Sequence, residues 1–324
     1  MNTIQATNNP VDSKILNGRM NKIEGMIARK ILPEIEAKYE FVDVKEIGAE
    51  FLRIHDDIAD GGSETAEITY SLSKAEKVFI KDHRLKMKIT KDDAREYGSM
   101  TEAKRWGKTL LMQAIMVIQE RGLSAQMENT SVITQQDTLS GTDQWSDKNN
   151  SDPIGDIELA KNTIYDSVGM APNTMIMSWK VFQALRFHPQ VADLLGTKYG
   201  GNGVKNSTAG LTIEQIKSAF DVKQVLIGEG VYNTAKEGQT KSMSPIWGKH
   251  CWLAYINPNP NPNKAEDSFG YTFWGGMPQG NSKLLSDSYE IKDPPKAEFV
   301  RVEMDYAQTL LKTTACYLIK DAIA

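Results

Sequence analysis

The sequence predicts an α+β protein in which an extended ribbon projects from compact parts, and three observations predict it. Residues 38–91 alternate apolar and polar side chains, with their charges segregated along the chain. Residues 99–121 carry one long helical pattern, and short helices and strands alternate from residue 154 onward.

Residues 1 to about 35 are polar and irregular around one short amphipathic run, Ile23 to Ile31. Between Lys14 and Lys30, five basic residues (Lys14, Arg19, Lys22, Arg29 and Lys30) stand against one acid, Glu24. A chain of net charge −4 therefore divides into an arm of +4 and a remainder of −8. Such a segment suits either a solvated arm or one that binds partners or an acidic polymer.

In the ribbon, Ile68, Tyr70 and Leu72 alternate with polar residues, and so do Leu85, Met87 and Ile89, the period of a strand. Asp60-Gly61-Gly62-Ser63 supplies a turn. Residues 40–69 hold nine acids against two bases, while 74–91 hold seven bases against two acids. Opposite charges facing each other across an antiparallel pair attract. The run 77–90, fully extended, reaches roughly 45 Å. A two-stranded ribbon of that length is marginal alone, and its open edges invite another chain. It reads as an arm made to lie on a neighbouring subunit. The candidate contacts are Asp56, Asp57 and Asp60 on the acidic limb and Lys77, Lys81, Lys86 and Lys88 on the basic one. Lys86 and Lys88 are expected to meet an acidic stretch of the same ribbon or of a neighbour.

Ser99 and Glu102 form a capping-box pattern for the long helix, and Gly98 and Gly122 bracket it. Ala103, Trp106, Leu110, Ala114 and Val117 mark its predicted buried stripe, with Leu111, Ile115 and Ile118 beside it. The polar stretch Thr134 to Pro153 reads as a connection. Helices are predicted at Ile154 to Val168, Trp179 to Phe187 (capped by Ser178) and Ile213 to Phe220 (with a Thr212/Gln215 capping box). Strands are predicted at Thr174 to Ser178, Val222 to Gly228, Lys249 to Ile256 and Phe269 to Trp274, and where Val300, Val302 and Met304 alternate with charged residues. The run Asn257 to Asn263, with three prolines, is a surface loop. Leu310 to Ile323 has helical propensity, but its position also allows a strand.

Composition narrows function by exclusion. Apolar residues make up 40% of 324, and Lys+Arg 38 against Asp+Glu 42 excludes a protein driven as a whole onto nucleic acid by basic charge. Four His and two Cys, Cys251 and Cys316, argue against a metalloenzyme or a disulfide scaffold. The first residues carry no signal-peptide pattern, and the longest apolar run, Leu110 to Ile118, is too short to span a membrane. Synthesis in the cytosol is expected. Gly107-Lys108-Thr109 lacks the first glycine of a phosphate loop and lies within the helix. Gly228-Glu229-Gly230 lacks the third glycine of a dinucleotide site, and Asp56, Asp60, Gly61 and Glu67 make an incomplete calcium loop with Ile58 at a ligand position. His250 and Cys251 as strand neighbours point to opposite faces and cannot share a metal. No constellation supports catalysis, and for a soluble α/β enzyme Cys251 is the sole conceivable nucleophile.

Taken in order, these pieces resemble the major capsid proteins of tailed double-stranded-DNA phages, the Hong Kong ninety-seven fold shared by encapsulin shells. Met26-Ile-Ala-Arg-Lys-Ile-Leu-Pro33 resembles the stretch where the family's N-terminal arm meets the body. The ribbon sits where the family has its E-loop, and 99–121 where it has the spine helix of the peripheral (P) domain. Thr138 to Trp145, Ser151 to Ile157, Pro172 to Ser178, Phe187-His-Pro189, Val225 to Gly228, Tyr232-Asn233 and Ile246-Trp-Gly248 resemble the axial (A) domain. The resemblance implies an arm over 1–37, an E-loop over 38–84, a P-domain over 85–150 and 285–324, and an A-domain over 151–284. It implies a shell of hexamers and pentamers around viral DNA, with an encapsulin-type compartment as the alternative. No active site and no cofactor are implied. The implied partners are copies of the same chain, a portal, a separate scaffolding protein or none (since no scaffold-like segment precedes the arm), a decoration protein, and packaged DNA held non-specifically. The implied location is the virion capsid, assembled in the host cytoplasm.

Overall fold

The computed structural model of the chain describes residues 25–44, 54, 76–199, 210–259, 268–275, 284–291 and 297–324. Two five-stranded sheets organise them. The first contains β1 (Glu34–Ala37), β4 (Lys81–Ile89), β11 (Gly270–Gly275), β12 (Leu285–Ile291) and β13 (Ala297–Leu310). β13 is its backbone. β4 runs antiparallel along one edge of it, from Glu298↔Ile89 to Tyr306↔Lys81. β12 and then β11 follow each other along the other edge. The alternation read from the sequence holds here. Val300, Val302, Met304 and Ile89 are buried on one face, while Lys86 and Lys88 stand in solvent on the other.

α3 (Met100–Met127) lies across that buried face and follows α2 (Lys91–Glu96). At about 42 Å it outlasts Gly122, the expected end, because a glycine without a following break only weakens a helix. Ser99 caps it by accepting the Glu102 N–H (3.2 Å), but Glu102 does not reciprocate and pairs instead with Arg105 (2.6 Å). The complete capping box belongs to α2, between Thr90 and Asp93. The buried stripe also differs from the expected one. It comprises Ala103, Leu111, Met112, Ile115, Met116, Leu123 and Met127, whereas Trp106 and Ile118 are 42% and 49% exposed. Apolar residues recur on several sides of the helix, mixed with charged and polar ones, so the sheet selects the face. It does so at Gly107, where an added Cβ would meet Ile89 Cδ1 at 2.9 Å and Val300 Cγ2 at 3.1 Å.

The second sheet has the order β5-β14-β10-β6-β7, namely Gln136–Thr138, Cys316–Lys320, Cys251–Ala254, Thr174–Ser178 and Gln224–Gly228. α4 (Pro153–Val168), α5 (Trp179–Arg186), α6 (Pro189–Tyr199) and α7 (Ile213–Phe220) belong to its side of the molecule, and α5 and α7 are capped by Ser178 and Thr212 as expected. The two faces of this sheet enter different cores. Met175, Met177, Cys251, Leu253, Tyr317 and Ile319 join the helices, while Ile176, Trp252, Cys316 and Leu318 join the end of α3 and the residues around 27–32. Burial on both faces explains why Leu310 to Ile323 showed no strand alternation: a central strand is apolar throughout. The sheets also cut across the expected domain limits. Residues 136–138 and 316–320 pair with the second sheet, and 270–275 with the first. The expected limit at 84 falls within β4.

The stretch read as a polar connection is anchored. Trp145 is fully buried, its Nε1 donates to Asp156 (2.8 Å), and its backbone N–H donates to the Ala322 carbonyl (2.8 Å). Burial raises the Asp156 pKa above the ordinary value. The period-2 strand read around residues 68–72 and the Asp60 turn lie outside the described residues.

Gly107→Leu is expected to lower stability by about 1–3 kcal/mol through overpacking between α3 and the sheet. Gly107→Ala should cost less, because a gain in helix propensity of about 1 kcal/mol opposes the contact with the movable end of Ile89. Urea unfolding of the two variants measures the difference.

Candidate assembly interface

The contact residues expected from the sequence fall on the root of the N-terminal arm and the root of the ribbon, and the outer face of α3 adds a third exposed surface. The arm enters through α1 (Ala28–Ile31), a single turn with no side-chain cap. Its first N–H groups would be orphaned in a buried place. Glu120 of α3 supplies the acceptors. Its Oε1 accepts from the Ile27 N–H (2.8 Å) and from Trp247 Nε1 (2.6 Å), and its Oε2 accepts from the Ala28 N–H (2.8 Å). Ile27, Ala28, Ile31 and Leu32 fill the space around it. Burial raises the Glu120 pKa, and the three donors pull it back in part. Beside it, Arg29 donates to Gln119 Oε1 (3.2 Å) and pairs with Glu34 (3.4 Å), so its guanidinium is engaged within the chain. Lys30 is exposed.

The ribbon root pairs β2 (Phe41–Val44) with β3 (Glu76–Phe79). Phe41 and Phe79 lie opposite each other, ring centroids 6.3 Å apart, and both are largely exposed. Asp43 stands opposite Lys77, an acidic-limb residue facing a basic-limb one, and the Lys77 ammonium lies 4.8 Å from the Phe41 ring centroid. After Ile80 the same strand changes partner and continues as β4 against β13. Lys81 is exposed at this change-over.

Along the solvent face of β12, β13 and β4 runs a ladder of charges. Asp287 accepts from Arg301 (3.0 and 2.6 Å), Arg301 reaches Glu303 (3.0 Å), Glu303 reaches Arg84 (3.3 Å), and Arg84 reaches Asp82 (2.5 Å). Lys86 and Lys88 take no part. Lys86 sits 5.7 Å from the ring centroid of Phe299, which stacks on Tyr289, and among the described residues neither lysine has an acidic partner. Lys14, Arg19, Lys22, Asp56, Asp57 and Asp60 lie outside the described residues. Sequence reading missed Glu120, whose single acid within an apolar helix face was the available signal. It also missed the outer stripe of α3, where Trp106 (stacked on Tyr97 at 4.7 Å), Ala114, Ile118 and Gly122 face outward.

Among the described residues no cluster could hold a metal ion, and no helix is long and apolar enough to cross a membrane. Cys251 and Cys316 are fully buried, and burial pushes both thiols up, the reverse of what a nucleophile needs. His250 lies just before β10, and its Nδ1 accepts from the Asp321 N–H (2.9 Å).

Comparison with known proteins places this arrangement. Residues 114–245 match the family model described as Phage major capsid protein E. The major capsid protein of Burkholderia phage BcepMu is 25% identical over 298 residues, which is 90% of either chain. A phage-related protein of Bordetella bronchiseptica RB50 superposes with a TM-score of 0.71 at 22% identity, covering 98% of both chains. The capsid structure of Cyanophage P-SCSP1u gives 0.55 at 8% identity, over 99% of this chain and 90% of that one. The fold is that of the phage major capsid proteins. The resemblance read from the ordered motifs is borne out. Within the capsid fold the long helix α3, the arm root and the ribbon root meet on one body, and Glu120 holds the first to the second.

Glu120→Ala leaves three buried donors unpaired, and a loss of about 3 kcal/mol or more is expected. Amide exchange at Ile27 and Ala28 should accelerate in the same variant, and urea unfolding gives the total. The sign with pH follows from the raised pKa: the folded state holds this proton more tightly than the unfolded chain. Stability contributed by the site is therefore full below the ordinary carboxylate value and falls as pH rises through the raised one. The difference between wild type and Glu120→Ala should narrow across that window.

Proposed function

We propose that the chain is the shell subunit of a tailed phage, assembling as hexamers and pentamers into an icosahedral or prolate shell that encloses double-stranded DNA. The observation that carries this reading is the change of partner at Ile80. A strand that belongs to the body leaves it as a ribbon with exposed aromatics and with edges that pair with no further strand among the described residues, a geometry suited to completion by another chain. The outward apolar stripe of α3 is a suitable receiving surface on that second copy. Many such contacts per subunit make a closed shell stable even where each is weak.

In this reading residues 1–37 are the arm and 38–84 the ribbon. The peripheral part is 85–150 with 285–324, and the axial part is 151–284. The strands at 136–138 and 316–320 count with the axial part by their hydrogen bonds, and 270–275 with the peripheral one. Lys14, Arg19 and Lys22 give the arm its charge toward a neighbour or packaged DNA. A scaffolding protein, a portal and a decoration protein are further partners of such a shell, and assembly takes place in the host cytoplasm. The role is structural rather than catalytic.

Electron microscopy of the expressed chain, alone and with a co-expressed scaffold, tests the class directly: shells or tubes are expected, and a monodisperse monomer under all conditions overturns it. Deleting residues 1–22 removes the basic arm and spares the α1 anchor, so the variant should fold normally and form fewer particles. Normal particle yield from that deletion removes the arm from assembly. Reversing Lys86 and Lys88 together to Glu should reduce particle yield and change its salt dependence, since neither lysine has an acidic partner among the described residues and both face solvent. Unchanged yield and salt response discard the contact.

A further inference from the structure

We propose that the carboxyl groups of Asp82 and Asp305 form a protonation-controlled latch at the base of the ribbon, closed when they share a proton and open when both are ionised.

The register places them. Asp82 and Asp305 are directly opposed in the antiparallel β4–β13 pair, one step from its last pairing, Lys81↔Tyr306. Like charges directly opposite each other destabilise a ladder. The register sets the two carboxyl groups side by side on one face, where a carboxyl–carboxylate contact can close only with a proton between them. The location matters as much as the chemistry. Beyond Lys81 the strand stops pairing with β13 and becomes the ribbon limb β3. The pair thus lies at the end of the β4–β13 ladder, next to Ile80, whose side chain sits over Gly275 where the ribbon leaves the body.

The surroundings do not neutralise it. On β4, Arg84 is shared between Asp82 and Glu303, and Glu303 also takes Arg301, which Asp287 already holds. From Asp287 to Asp305 the ladder counts four carboxylates, Asp287, Glu303, Asp82 and Asp305, against the two guanidiniums Arg301 and Arg84, and the surplus falls at the Asp305 end. Lys81 precedes Asp82 and is exposed, and Glu76 and Lys77 lie further along β3. β11, the other neighbour of this end of β13, contributes Gly275 beside the Asp305 Cβ and no charged side chain. His83 lies on the opposite face, stacked on Tyr306 at 4.0 Å, with Arg29 acting on the same tyrosine. Burial together with the neighbouring Asp82 raises the Asp305 pKa to about 6. The raised value sets the sign: the tie is complete in mild acid and is lost as pH rises through about 6. Opening loosens the end of the β4–β13 pair, at Lys81 to Arg84, next to the ribbon root.

Its consequence in a shell rests on the ribbon's being the arm that reaches a neighbour; the latch itself is testable in the unassembled full-length chain. Amide protection of residues 80–84, corrected for intrinsic exchange, should fall about tenfold between mildly acidic and mildly alkaline pH, the pKa shift being partly screened by solvent. In Asp305→Asn the amide donates to Asp82 without needing a proton, so protection should stay high at both pH values. Asp82→Asn is the reciprocal variant and should behave the same way. His83→Gln should keep the wild-type response. A flat wild-type profile, an unchanged pH response in both Asn variants, or loss of the response in His83→Gln overturns the latch. Shell formation by the same variants is scored separately by microscopy, so a failed latch and a ribbon that never reaches a neighbour give different results.

Discussion

One buried carboxylate holds the parts of this molecule together. Glu120 projects from the last third of a helix that packs on the first sheet, yet all three of its donors come from elsewhere: two from the arm root and one from Trp247, beside the second sheet. Three segments far apart in sequence thus converge on two oxygen atoms. Each donor is buried, so none could turn to water if the acceptor were missing, and that asymmetry makes the site a constraint as well as a contact. With α1 held there, Ile31 and Leu32 pack beneath Phe269, and the chain continues directly into β1 of the first sheet.

The second organising feature is β13. Fourteen residues long, it pairs with three strands, and its buried face receives α3. Its outer face is charged, and its end ties down the ribbon. A subunit that must be rigid in its body and adjustable in its projections needs such a division. The rigid part is a packed helix on a sheet, closely approached at Gly107. The arm joins this body at Gly25 and the ribbon joins it at Ile80. Assembly asks for complementary surfaces rather than for a reactive group, which accords with buried thiols and with a histidine, His250, whose ring nitrogen serves a backbone amide.

Much of the fold was legible locally. Alternation marked β4 and β13, and the Ser178 and Thr212 caps marked the starts of α5 and α7, because these signals depend on residues within one turn or one pleat of each other. The apolar stripe of α3 was misjudged for the opposite reason. A helix whose apolar and polar residues are mixed around its circumference carries no unambiguous moment, and the buried side was chosen by where a glycine admits the sheet. The strand at 316–320 was ambiguous because both of its faces are buried. Glu120 was not legible as a site, since its three donors are two backbone N–H groups and one indole N–H, and backbone donors leave no trace in side-chain pattern. Of the expected contact residues, Arg29 is spent within the chain, while Lys30, Lys77, Lys81, Lys86 and Lys88 remain at the surface.

By itself the sequence determined the class of molecule: a chain poor in reactive side chains, with a charge-segregated ribbon, one long helix, and the ordered motifs of a phage capsid subunit. The first three follow from composition and from short-range periodicity, and the class follows from the resemblance that the ordered motifs carry. Only the tertiary structure decided which face of α3 is buried, that residues 136–138 and 316–320 complete the second sheet, that Glu120 anchors the arm, and that Asp82 meets Asp305. Each of these is a meeting of residues distant along the chain. Such meetings are set by strand register and by packing volume, which exist only once the elements have come together.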